Sequence, residues 1–431
     1  MRKVIFLTAL SLSVFSSFCQ LSVSAEIRPR GEFRHGYKEL MTSEDYPAVF
    51  VSQRSRLNFT YSGAHKLGLY LSLQDVRVWG DENNFTATGV YGDNASLDIS
   101  QSYFYYKIDT SNIVKIGRQI LKYDDQRILS ERNWNQNGIS YDAFLFSYKT
   151  KKLIIDMGLS FNNLKENTFG NEYTHLKIKT LNFLYSKQSL NQSVSVSEIV
   201  VASGFSKENT KETIYMTGTY GLNVFYYNKK LSLHLAGYYQ NGRNVSGTSV
   251  SAFLTSLKAE MKINDLLKLN AGCTYISGND ATKNDPAYTD TDHTFNLLYG
   301  ARHKYYGHMD YFSSLDESTA GGGLVDIFNG FEISGDRMTG SLDYHCFLLQ
   351  NNVIDPSYIA SIKKMYKYLG SEFDFTMSRN ITEEIIISFG CSCFLQSESL
   401  EVLREISIEN STVNYWGWVM ITANPSVLLK K

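Results

Sequence analysis

Two arginines one residue apart, Arg54 and Arg56, stand out as side chains able to do chemistry in this sequence. A guanidinium stays charged, and its planar fork donates parallel hydrogen bonds to a carboxylate or phosphate. Alternate residues of a strand share a face, so the pair would project from one side, about 7 Å apart. Ser52, Asn58 and Thr60 share that side, while Leu57, Phe59 and Tyr61 make the other side apolar. Charge on one face and hydrocarbon on the other suits a strand with water inside and lipid outside. Two roles are open to the pair. It attracts an anionic solute, or it braces the wall by pairing with carboxylates on neighbouring strands.

The same two-residue period recurs along the chain. Leu153, Ile155, Met157, Leu159 and Phe161 alternate with Asp156, Gly158 and Ser160. Met216, Tyr220, Leu222 and Val224 alternate with Thr217, Thr219 and Asn223. Phe253, Leu257, Met261 and Ile263 alternate with Ser256, Lys258 and Glu260, and Leu369, Phe373 and Phe375 alternate with Gly370, Glu372 and Asp374. A helix could not sort these residues into two faces. By parity Gln74, Asp156 and Lys258 point inward, with Ser72, His234, Glu260, Lys262, Lys268, Asp343, His345, Glu372 and Asp374. Short connections near 61–64, 227–230 and 378–380 alternate with longer polar ones at 81–94, 122–134, 279–292 and 303–325. Tight turns on one rim and long loops on the other predict an all-β fold: a closed antiparallel transmembrane up-and-down β-barrel. Eighteen or nineteen strand segments can be marked, and the even number required for closure gives 18. Tyr61, Tyr185, Tyr226, Tyr227, Tyr238 and Tyr239 fall near strand ends, where aromatic rings anchor at bilayer interfaces.

The first residues set the compartment. Arg2 and Lys3 precede an apolar run from Val4 to Phe18, and small residues follow at Val23-Ser24-Ala25. This reads as a signal peptide over 1–25, leaving one barrel domain over 26–431. Without Arg2 and Lys3, 40 basic and 43 acidic side chains remain, so the strong basic excess of a nucleic-acid binder is missing. The 30 Tyr and 25 Phe against only 5 Pro suit a chain made mostly of hydrogen-bonded strands. Cys273, Cys346, Cys391 and Cys393 are too few to staple a chain of this size and read as small strand residues. Asp280, Asp285, Asp290 and Asp292 lack the spacing of a calcium loop, and His303, His308 and Asp310 do not make a zinc motif. Neither a metal nor a cofactor is expected. Tyr305, Tyr306, Tyr311 and Phe312 around those histidines suggest a packed inward or covering loop.

Beyond these patterns the sequence resembles the alginate export family of outer-membrane porins. The segments that carry the resemblance are QRSRLNF at 53–59, LQDVRVWG at 73–80, GRQILKYDDQRIL at 117–129 and WNQNGISYDAF at 134–144, then YISGND at 275–280, LLYGARHKYYGHMDYF at 297–312 and LDYHCFLLQ at 342–350. The resemblance implies a monomeric barrel of about eighteen strands in the cell outer membrane, passing anionic polysaccharide or other small solutes. It also implies roles for Arg54, Arg56, Arg77, Arg118 and Arg127 as basic lumen positions. Parity disagrees for two of these. Arg77 follows Leu69, Leu71 and Leu73, and Arg118 follows Val114 and Ile116, so each lies beyond the bilayer or is turned by a bulge. The end of the chain departs from the family in lacking a terminal aromatic; Trp416, Trp418 and Met420 form the expected last strand before Pro425.

The reading is therefore a passive channel for small anionic solutes such as uronate-containing saccharides. Its partners would be outer-membrane lipid or lipopolysaccharide and, during biogenesis, the barrel-assembly machinery. No compact serine, histidine and acid constellation marks an enzyme. The alternatives are a loop-occluded scaffold or surface receptor, and an outer-membrane lipid hydrolase.

Overall fold

In the computed structural model the described residues are 20–63, 65–80, 96–171, 173–174, 176–207, 213–356, 363–407 and 411–430. The expected loop 81–94 lies outside them. Strand pairing starts with β1 (Gln20–His35), β2 (Ala48–Ser62), β3 (Leu67–Val78), β4 (Ser96–Lys107), β5 (Asn112–Gln119) and β6 (Tyr141–Lys149). It continues through β7 (Leu153–Phe161), β8 (Ile178–Ser189), β9 (Val194–Ser206), β10 (Ile214–Tyr227), β11 (Leu231–Arg243), β12 (Ser249–Lys262) and β13 (Leu267–Ile276). After a long connection come β14 (Leu324–Ser334), β15 (Met338–Leu349), β16 (Tyr368–Asn380), β17 (Ile385–Gln396) and β18 (Asn414–Ala423, resuming at Ser426–Lys430).

Each strand pairs antiparallel with the next, and β18 returns to β1, with Ile27 opposite Ala423 and His35 opposite Tyr415. The wall is thus a closed barrel of 18 strands with no open edge, as a sheet in lipid requires. The last strand does not stop at Pro425 as the sequence suggested. Its missing N–H is accommodated in a short break, the Pro425 carbonyl accepts from the Ala25 N–H at 2.9 Å, and residues 426–430 pair with 20–24. β1 starts at Gln20, six residues inside the segment assigned to the leader.

Parity is realised along most of the wall. Met157, Leu159 and Phe161 are exposed to the outside while Gly158 and Ser160 are buried inside, and Leu222, Leu235 and Leu257 likewise face out. Some face assignments fail. Leu369 is buried inside and Tyr368 faces out, because the β15–β16 register slips at Phe347/Leu348. Tyr185, Tyr227 and Tyr238 are not interface anchors; all three point into the lumen, where the Tyr185 and Tyr238 hydroxyls bond Asp124 and Asn223 and Tyr227 lines a cavity beside Phe225.

Turns such as 150–152, 190–193 and 335–337 close one rim, and the connections 120–140 and 277–323 rise from the other. Those two connections fold into the barrel. They supply much of what is buried there, including Leu121, Ile128, Leu129, Phe295, Met309, Tyr311 and Phe312.

Candidate functional site

The site is built where the two inward loops meet the wall and each other. At the β1–β2 wall, loop 120–140 turns its carbonyls and amides toward a column of arginines. Arg28 donates to the Gln136 side chain at 2.8 and 3.1 Å and to the Asn133 carbonyl at 2.8 Å. Arg54 pairs with Glu26 at 2.5 Å and donates to the Asn133 side chain at 2.9 Å. Arg56 donates to Gln74 at 2.6 Å, and the Gln74 amide reaches the Asn137 carbonyl at 3.3 Å. Arg30 donates to the Trp134 carbonyl and lies 4.0 Å over its ring, whose neighbour His303 stacks at 4.2 Å. Across the lumen, Asp124 accepts from Tyr185 and Ser197, and Arg127 donates to Ser256 at 3.1 Å. The loop therefore spans the barrel from wall to wall.

Loop 277–323 crosses it. The two run together as a ribbon: the Tyr299 N–H donates to the Ile128 carbonyl at 3.1 Å, the Ala301 N–H to the Gln126 carbonyl at 2.9 Å, and the Ser130 hydroxyl to the Tyr299 carbonyl at 2.6 Å. Arg127 adds a bond to the Tyr306 hydroxyl at 3.0 Å and lies 4.0 Å over the Tyr305 ring. Glycine is required at two crossings. A Cβ at Gly300 would stand 2.1 Å from the Arg127 carbonyl oxygen, and one at Gly307, where φ is +79°, 2.4 Å from the Glu372 carboxylate. Past Gly307, the Met309 N–H donates to Glu372 at 2.7 Å, latching the second loop to β16.

Among the cavities beside the ribbon, two are lined by several basic side chains. One of about 470 Å³ has mixed charge: Arg127, Lys187, Lys258 and Lys304 alternate with Asp124, Asp125, Glu260, Asp326 and Asp343. Lys258 is paired with Glu260 at 2.8 Å. The other, of about 620 Å³, is lined by Lys38, Arg132, Arg302 and Lys304 against Glu131 and Asp310, with Trp134 and His303. Among the described residues Arg132 donates to the carbonyls of Gly300 and Leu298, at 3.1 Å each, and Arg302 to Leu298 at 3.4 Å. Glu131 is held by Lys122 and Asp310 by His303. Neither arginine has an ion pair with a carboxylate among the described residues, and the buried Arg302 Nε has no partner. Burial pushes both guanidinium pKa values down, and the Arg132 charge lowers that of Arg302 further. An anion placed here would relieve both costs.

The sequence-selected residues divide into three groups. Arg54, Arg56 and Gln74 point inward but lie under the loop, and Arg54 is 0% exposed rather than in water. Arg127 and Lys258 line the mixed cavity, whereas Asp156 faces inward on β7 beside Tyr123 and lines neither cavity. Arg77 and Arg118 are not lumen residues. Both lie on the outer face, Arg77 bonded to Asp75 through two 2.7 Å contacts and Arg118 to Asp142 through two at 3.0 Å. The parity conflict in the sequence is the signal that places them there. Arg132 and Arg302 were missed because they stand in loops without periodicity, although Arg302 falls inside the quoted segment 297–312.

Comparison with known proteins agrees with this architecture. The alginate export family model matches residues 19–401. The comparison with curated protein sequences gave no match. Among solved structures, OccAB4 of Acinetobacter baumannii aligns with a TM-score of 0.60 at 9% identity, over 95% of this chain and 98% of that one. OccK9 (OpdG) of Pseudomonas aeruginosa gives 0.59 at 10% identity, over 94% and 98%. OpdK of Pseudomonas aeruginosa, crystallised with vanillate, gives 0.56 at 10% identity, over 94% and 99%. At such identities the solved structures speak for the barrel fold, and the family match carries the assignment. The chain belongs to the alginate export family and is a porin-like β-barrel of the outer membrane.

Proposed function

We propose that this barrel passes small anionic solutes by passive diffusion, uronate-containing saccharides among them, and that Arg132 and Arg302 set the preference. The observation that carries the proposal is the pair of partly buried guanidinium groups, without carboxylate partners among the described residues, facing a cavity of about 620 Å³. That volume lies in the usual range of small-molecule sites. Fixed cations in a narrow, partly dry passage raise the local concentration of anions without holding them. Vanillate, a small carboxylate, was crystallised with OpdK. Solute moves down its gradient, with no catalytic step. The apolar outer band meets lipid or lipopolysaccharide, assembly machinery inserts the chain, and the barrel works as a monomer.

The test is planar-bilayer recording of the purified protein across a salt gradient. Stepwise conductance with a reversal potential on the anion side is expected. A loop-occluded scaffold is the second reading, favoured by the ribbon that ties the two loops across the lumen. Folded protein that inserts but gives no conductance steps would replace the channel with that scaffold.

A further inference from the structure

The strand register at the start of the chain bears on where the leader is removed. Gln20 to Ala25 are paired on both sides. Toward β2, Gln20 lies opposite Ser62 and Ala25 opposite Leu57; toward β18, Gln20 lies opposite Lys430 and Ser24 opposite Ser426. The inside–outside alternation also runs unbroken across the expected cut after Ala25. Leu21, Val23, Ala25 and Ile27 share the outward parity, while Ser22, Ser24, Glu26 and Arg28 share the inward one. The Asn58 side chain donates to the Ser24 hydroxyl at 3.3 Å.

Cleavage after Ala25 would have two costs. It would strip the partner strand from residues 57–62 and from 426–430, leaving two unpaired edges at the seam where the barrel closes. It would also place a new α-ammonium on Glu26, the carboxylate that pairs with the fully buried Arg54, and add a cation beside Arg28 and Arg54.

We propose that the leader is removed between Cys19 and Gln20, so that Gln20–Ala25 belong to the mature wall. Ser17-Phe18-Cys19 presents small residues around a bulky one, the pattern a signal peptidase accepts, and it follows the apolar run directly. Water cleaves the Cys19–Gln20 amide, leaving a carboxylate on Cys19 and an amine on Gln20.

The experiment is mass spectrometry of the N-terminal peptide of full-length protein purified from outer membranes. A peptide beginning at Gln20, with its amine free or cyclised, is expected, and any other start overturns the proposal. Two variants give an independent reading in whole cells. Cys19→Trp should accumulate uncut precursor, whereas Ala25→Trp should be processed as the parent is; the reverse pattern overturns the assignment even if neither variant assembles.

Discussion

The arginines at the β1–β2 wall and those facing the larger cavity are the same residue type in the same lumen, yet their surroundings give them opposite work. Arg54 is completely buried, with Glu26, Asn133 and loop carbonyls around its guanidinium. Among the described residues, Arg132 and Arg302 reach a few carbonyls and no carboxylate. A satisfied guanidinium ties loop to wall and has little left for a solute. An unsatisfied one holds its charge at a cost, which makes it a place for an anion. On the function proposed above, inward orientation alone does not mark a selectivity residue; unmet hydrogen-bonding capacity does.

Removing the brace should have the largest effect. Arg54→Gln leaves Glu26 without its ion-pair partner, and losing one member of a buried pair costs about 3 kcal/mol. Heat-modified gel mobility should show the variant unfolding at a lower temperature than the parent. Unchanged mobility would mean that the clamp does not hold the loop. Replacing the other pair should do the reverse. Arg132→Gln with Arg302→Gln should leave the heat-modified mobility intact and lower the anion-over-cation permeability ratio by roughly fivefold, about 1 kcal/mol. A double variant with the parent's reversal potential would remove these two from selectivity.

A smaller effect should come from pH. Burial pushes the His303 pKa below its ordinary value, an effect that Asp310 only partly offsets. The folded protein thus takes up this proton later than the unfolded chain does. The ring is neutral at pH 7 and adds a positive charge to the larger cavity only as the pH falls below the ordinary histidine range. Anion preference should rise over that range, while stability falls as the unfolded chain gains the proton first. His303→Gln should flatten its contribution to the permeability profile; an unaltered profile would exclude it. The outer pairs should matter least. Arg77→Gln and Arg118→Gln each remove a partly exposed pair, worth about 1 kcal/mol or less, and should leave permeability unchanged.

What was legible in the sequence was the wall, because lipid and water impose a two-residue period that any strand must show. Leu153–Phe161 and the Arg54–Arg56 face were readable for that reason. The reading failed at Leu369, where the register slip near Gly370 reverses the faces, and periodicity does not report such a slip in advance. It also failed at Pro425, whose place in a continuing strand depends on the partner offered by β1. The family resemblance put Arg77 and Arg118 in the lumen against their own parity, and parity was right. The larger cavity was hidden for a different reason. Arg132 and Arg302 come together through a crossing of two loops, a relation that neither spacing nor alternation encodes.

That crossing also sets an order of assembly. Ser130 and Tyr299, bonded in the ribbon, are 169 positions apart, whereas neighbouring wall strands join through turns such as 150–152 and 190–193. Contacts between distant segments carry the greater loop-closure entropy and form slowly. The hairpins are therefore expected to zip up around a lumen that is still wide, and the constriction to be completed last. A newly inserted barrel would then be leakier and less discriminating than the mature one, a brief hole in the permeability barrier that tightens as the ribbon closes.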